Sequence, residues 1–257
     1  MPIPLQDGWL YGPVDSRRYG RSLGVNPLPV DRKLCSLDCL YCQYGFTKAQ
    51  EAAGRAELPG LDELKAAFEQ EFSRLAAAND LPDRITVAGN GEPSLHPDFL
   101  EMSRALCASR DRHFPGASIG LLCNSMHLNR QDVVEAINGF YDEPAMKLEW
   151  GTAECFAAMN RVPASRFKAL LSGLEKINRF VVQSLFMHSP HGDNSTNQEV
   201  SLWIEHLNHF REHIVRVELY SLDRPPADAA EATRLSVEEL ASIADRVSAN
   251  GFEVEIY

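Results

Sequence analysis

Apolar and polar positions alternate in two rhythms along this chain. Short apolar, β-prone runs occur at Leu23–Val25, Arg84–Ala88, Ser118–Leu122, Met146–Leu148, Phe180–Phe186, Ile214–Leu219 and Phe252–Ile256. Most have the length of a buried strand. Between most of them the spacing turns helical. Leu61, Leu64, Phe68, Phe72 and Leu75 step by three and four, so they fall on one helix face. Val200, Trp203, Leu207 and Phe210 do the same. Ser236 and Glu239 form an S-x-x-E capping box ahead of Leu240, Ile243 and Val247, which predicts a helix start at that serine. Strands alternating with helices predict an α/β fold with a mostly parallel sheet covered by helices. No repeat, low-complexity tract or long linker breaks the pattern, so one domain is expected over 1–257.

The unusual residues gather just after the predicted strands. Cys35, Cys39 and Cys42 follow the first. "GNGEPSLHP" (Gly89 to Pro97) follows the second, "CNS" (Cys123 to Ser125) the third and "EWG" (Glu149 to Gly151) the fourth. His188 and "HGDNST" follow the fifth, and "SLDRPP" the sixth. In parallel α/β folds the carboxyl ends of the strands form the active face.

Charge narrows the function classes. The formal net charge of −11 argues against a protein that grips nucleic acid through its phosphates. Arg17, Arg18 and Arg21 nevertheless form a basic cluster near the cysteines, where an anionic ligand could dock; the alternative is solvated surface charge. No apolar run reaches the roughly 18 residues of a membrane span. The amino end lacks the charged start and apolar run of a secretory signal. A cytoplasmic location is expected, where close thiols more often bind metal than pair.

Three cysteines in the pattern C-x3-C-x2-C need a chemical explanation. A structural zinc site wants four ligands, and Cys107, Cys123 and Cys155 stand alone; a Cys3His site remains an alternative. A redox dithiol needs no third cysteine. A [4Fe-4S] cubane fits better: three thiolates hold three corners. The fourth iron is then left open for a small molecule, as the open position of a catalytic zinc is.

"CSLDCLYC" resembles the cluster signature of the radical S-adenosylmethionine superfamily. "GPVDSRRYGRSLGVNPLP", "GNGEPSLHPDF", "AMNRV" and "VELYSLDRPP" are similar to its wyosine-synthase-like branch. The resemblance implies a partial (β/α)6 TIM-like barrel. It implies an N-terminal extension over 1–22, a cluster loop over 27–60 and a carboxyl-terminal helix and strand over 222–257. Cys35, Cys39 and Cys42 would bind the cluster. S-adenosylmethionine would lie against Tyr41, the turn Gly89, Asn90, Gly91, Glu92 and Pro93, and also Ser125, Glu149 and Tyr220. Glu92 would face the methionine ammonium, Ser125 the carboxylate or ribose, and Glu149 the ribose or substrate.

The implied reaction is reductive cleavage of S-adenosylmethionine to a 5′-deoxyadenosyl radical, with flavodoxin or ferredoxin as reductant. Arg161, His188, His191, Asp193, Asn194 and Arg224 would line the barrel mouth over a small-molecule, peptide or protein substrate. An activase acting on a partner protein's glycine and a tRNA base modifier are the alternatives. The latter would rely on Arg17, Arg18 and Arg21. A non-catalytic iron–sulfur or zinc module is a more remote one. No cysteine precedes Cys35, so the second cluster of the wyosine-forming enzymes is not expected.

Overall fold

The computed structural model describes residues 3–16, 18–47, 58–227 and 231–257. Arg17 and the later part of the expected cluster loop lie outside them. An eight-stranded sheet runs in the order β1 (Leu10–Ser16), β2 (Gly20–Val25), β3 (Arg84–Val87), β4 (Ser118–Cys123), β5 (Glu143–Lys147), β6 (Phe180–Leu185), β8 (Ile214–Tyr220), β10 (Val254–Ile256). Every pairing is parallel except β1 with β2. Short strands β7 (Met187–His188) and β9 (Thr233–Arg234) pair separately. This is the mostly parallel α/β arrangement of a partial barrel.

The helical periodicities hold. α1 (Leu61–Ala77) buries Leu64, Phe68, Phe72 and Leu75, each contributing roughly 1.5–3 kcal/mol of apolar burial. α6 (Asn197–His209) buries Val200, Trp203 and Leu207. In α7 (Val237–Ala249) the Ser236 hydroxyl accepts from the Glu239 N–H and the Glu239 carboxylate accepts from the Ser236 N–H. The remaining cover is α2 (Phe99–His113), α3 (Gln131–Phe140), α4 (Ala153–Asn160) and α5 (Ser165–Leu174). No helix among the described residues is long and apolar enough to cross a membrane.

The amino-terminal segment differs from expectation. It is a hairpin whose first strand, β1, lies at the sheet edge, with a register shift between Tyr11 and Val14. Gly12 and Pro13 hide that strand from a propensity reading, and an edge is where proline is tolerated. The hairpin turn reaches across the concave face to the far side of the sheet. The Tyr19 hydroxyl donates to Glu218 on β8 at 3.1 Å and accepts from Gln183 on β6 at 3.1 Å. Arg84 stacks over the Tyr19 ring at 4.3 Å. Arg84 and Arg216 share Glu143 at 2.8 and 2.9 Å, and Arg216 also binds Glu218 at 2.8 Å. Hydrogen bonds from Arg216, joined by Arg84 and opposed by burial, hold the Glu143 carboxyl below its ordinary range.

Candidate functional site

The cluster loop begins immediately after Leu34, which is stitched to the glycine turn. The Leu34 N–H donates to the Asn90 carbonyl at 2.8 Å and the Glu92 N–H donates to the Leu34 carbonyl at 2.9 Å. Gly91 sits at φ +145°, where side-chain-bearing residues are strained. Further on, the Asp38 and Leu40 N–H groups donate to the Asn160 and Met159 carbonyls at the end of α4. The Cys39 thiol donates to the Asn160 side chain at 3.1 Å. The "AMNRV" segment thus anchors the loop, a role for Asn160 that sequence reading missed.

Cys35, Cys39 and Cys42 line one cavity of about 190 Å3, together with Gly91, Glu92, Asn124, Lys147 and Tyr220. Among the described residues, no three His, Cys, Asp or Glu side chains converge closely enough to hold a single metal ion. A tetrahedral ion with sulfur at about 2.3 Å needs thiolates within about 4 Å of one another, whereas a cubane spreads its ligands over separate corners. Three soft sulfurs on one loop around one cavity, with a side-chain-free turn beside them, are donors that suit an iron–sulfur group, while the thiols as placed form no metal-holding group among the described residues. Burial, with the neighbouring Cys39, pushes the Cys35 thiol up to about 12, and burial likewise raises Cys39. Metal binding displaces such protons.

Behind the loop lies a polar chain that the sequence reading saw only in part. The Tyr41 hydroxyl donates to the Glu149 carboxylate. Lys147 Nζ lies 2.5 Å from the Tyr41 hydroxyl and 3.5 Å from Cys39 Sγ. The other Glu149 oxygen accepts from the Leu185 N–H at 3.0 Å. Glu149 is fully buried. Burial raises its carboxyl against the pull of Lys147 and Tyr41. Burial works to lower the Lys147 ammonium, but Cys39 and Glu149 hold it above its ordinary range. A lysine inside an apolar strand was the available signal, since buried cations need partners.

The other expected cofactor residues divide. Tyr41, Gly91, Glu92 and Tyr220 line the cavity. Glu92 is held by Ser94 through Oε1 and by the Asn124 N–H, at 2.6 Å, through Oε2. Gly89 packs against the Asn26 side chain, and Pro93 opens a buried 3-10 turn. Asn90 turns its side chain away, toward the Gln6 backbone and the Pro29 carbonyl. Ser125, at φ +66°, donates to the Lys147 carbonyl at 3.1 Å. The cavity position beside it is Asn124, whose amide reaches the Ser36 hydroxyl at 3.0 Å. Cys123 also lines the cavity.

Of the expected substrate residues, only His188 and Asp193 meet; the others lie apart. Arg161 stacks on Phe46 at 4.0 Å and lines a different cavity with Arg166 and His127. His188 is held by Asp193 and Glu239 at 3.0 and 3.1 Å in a third. Asn194 is a buried strut between the Glu149 and Leu185 carbonyls. His191 pairs with Glu231 on the surface, and Arg224 is exposed. The strand-end rule places a residue near the active face; it does not aim the side chain. Of the basic cluster, Arg21 is committed to Asp80 and Asp15, while Arg18 stacks on Tyr220 and Tyr257.

Comparison with known proteins bears on the fold and the family. The UPF0026 protein of Helicobacter pylori (strain ATCC 700392 / 26695) is 26% identical over 236 residues, covering 90% of this chain and 71% of its own length. A radical SAM methyltransferase from Sphaerobacter thermophilus superposes with a TM-score of 0.63 at 16% identity, over 92% of this chain and 66% of that one. Streptococcus suis SuiB, bound to precursor peptide SuiA, gives 0.63 at 12% identity, over 91% and 48%. The chain thus spans about two thirds and about half of those solved chains, and at such identities they show the fold alone. The profile of the Radical SAM superfamily matches residues 33–204, a span that takes in all three clustered cysteines, the glycine turn and the Lys147–Glu149 pair, and the chain belongs to that superfamily.

Proposed function

We propose that this protein is a radical S-adenosylmethionine enzyme in which Cys35, Cys39 and Cys42 hold a [4Fe-4S] cluster. The observation that carries the reading is the single cavity faced by all three cysteines and the Gly91 turn. When bound there, the cluster and S-adenosylmethionine would supply one-electron reductive cleavage of the sulfonium and, through it, hydrogen-atom removal from a substrate.

The chain's own residues position and shield. Gly91 lets backbone approach the cavity. Glu92, fixed by Ser94 and Asn124, keeps lone pairs for an ammonium. Lys147 brings a positive charge to Cys39 and Tyr41, offsetting the negative charge of a thiolate-ligated cluster. Glu149 fixes the Tyr41 ring through its hydroxyl. The Tyr220 ring, backed by Arg18, forms an apolar wall that excludes water.

The motifs quoted above support membership of the wyosine-synthase-like branch. A flavodoxin or ferredoxin is the proposed reductant, in a cytoplasmic setting. The test is anaerobic reconstitution with iron and sulfide, then reduction with S-adenosylmethionine present. About four irons per chain and release of 5′-deoxyadenosine are expected, and alanine at Cys35, Cys39 or Cys42 abolishes both. Intact cleavage in any of these variants refutes the assignment.

A further inference from the structure

The concave face of the sheet is polar where a strand interior is ordinarily apolar. Period-two alternation puts Ser22 and Gly24, Arg84 and Thr86, Glu143 and Lys147, and Arg216, Glu218 and Tyr220 on that face. The polar positions form tiers. Arg84, Glu143, Arg216 and Glu218 make a paired charge layer. Lys147 and Tyr220 belong to the cysteine cavity. A separate cavity of about 300 Å3 is walled by Tyr11, Ser16, Arg18, Tyr19, Thr86 and Leu122, among others.

This second cavity adjoins the first. Leu122 lines both. The Arg18 guanidinium lies 4.2 Å from the centre of the Tyr220 ring, and Gln183, which lines the cysteine cavity, donates to the Tyr19 hydroxyl. Its walls are tyrosine rings and aliphatic groups with a few hydroxyls, among them Ser22 and Thr86 paired at 2.8 Å. Its volume is at the lower end for small-molecule sites.

Arg18 is the cation of this cavity. Among the described residues no carboxylate lies within ion-pair distance of it; it is met by the Tyr220 and Tyr257 rings. The nearby Glu218 is already engaged by Tyr19, Gln183 and Arg216. A guanidinium beside apolar walls, with its donor fork uncommitted, matches a carboxylate in geometry. One cation with a buried glutamate close by balances one negative charge better than two, which favours a carboxylate over a phosphate.

We propose that this cavity is the substrate chamber and takes a small monocarboxylate with an apolar or aromatic body, its carboxylate held by Arg18. The proposal rests on the reading of the neighbouring cavity as the cofactor site. It makes the amino-terminal hairpin part of substrate recognition and favours a small molecule over a protein or tRNA substrate.

The test uses the reconstituted protein with S-adenosylmethionine bound and unreduced, and benzoate as probe, followed by ligand-observed NMR. Benzoate binds, while benzamide and phenyl phosphate bind about tenfold more weakly or worse. Arg18→Gln weakens benzoate by about tenfold or more, Arg18→Lys by less, and exposed Arg112→Gln not at all; iron content and melting temperature certify each fold. Absence of benzoate binding to the wild type overturns the proposal. So does equal binding of benzamide, tighter phenyl phosphate, or unchanged affinity in a folded Arg18→Gln. The two readings fail separately. A protein that releases 5′-deoxyadenosine but ignores benzoate loses only the chamber. One that binds benzoate through Arg18 but releases no 5′-deoxyadenosine loses the cofactor reading and keeps a carboxylate site.

Discussion

A β-carbon on Gly91 would lie 1.7 Å from the carbonyl oxygen of Leu34, the residue before the first clustered cysteine. The glycine turn and the cluster loop are therefore one interlocked unit. Backbone hydrogen bonds run from Leu34 to Asn90 and from Glu92 to Leu34. Gly91→Ala meets both the clash and the positive φ. The backbone strain alone costs about 1–3 kcal/mol, and displacing Leu34 moves Cys35. Iron content after reconstitution falls by more than half, measured beside a melting curve. Full iron loading with unchanged stability would show that the turn does not support the loop.

Lys147 and Glu149 form the charged core of the site. The two are bridged by the Tyr41 hydroxyl rather than directly paired, so Lys147→Met removes that bridge and a nearby positive charge and costs about 1–3 kcal/mol. Adding Glu149→Gln to that variant recovers more than half of the loss. Urea unfolding of the wild type, both single variants and the double variant supplies the coupling energy. A cycle with no coupling would place the two groups in independent environments.

His188 ties the loop after β6 to the start of α7 through Asp193 and Glu239. Partial burial lowers the imidazole, but the hydrogen bond to Asp193, with Glu239, leaves it above its ordinary value. A raised base stabilises the fold fully below its unfolded pKa of about 6.5. That support is lost as pH rises through the folded value. The side chain is 40% exposed, so solvent screening keeps the effect under about 1 kcal/mol. The wild-type urea midpoint drops slightly between pH 6 and pH 8.5, and His188→Gln flattens the drop. An equal drop in that variant would assign the pH dependence to another group.

Ser236 caps α7, and its reciprocal bonds with Glu239 satisfy two otherwise unpaired N–H groups. Ser236→Ala costs about 1 kcal/mol. Chemical denaturation reads this directly, and S-adenosylmethionine cleavage stays at the wild-type level. A loss of cleavage at unchanged stability would mean that α7 influences the site.

The parallel strands, the helices that cover them and the grouping of three cysteines on one loop were legible in the residue order alone. These features are encoded locally. Leu64, Phe68, Phe72 and Leu75 repeat at the helical period, Ser236 and Glu239 are three apart, and Cys35, Cys39 and Cys42 share one short loop. What the chain order could not state is which distant groups meet. Asn160 under Cys39, Lys147 against Tyr41 and Tyr19 across to Glu218 join residues more than a hundred positions apart. Strand ends marked where the polar clusters gather, yet Arg161 and His188 line separate cavities and Arg224 is exposed. Side-chain direction there depends on twist, register and the loops that pack behind. The hairpin shows the same division: its glycine and proline obscure β1 locally, and only the contact of its turn with β6 and β8 gives Arg18 and Tyr19 a cavity to line.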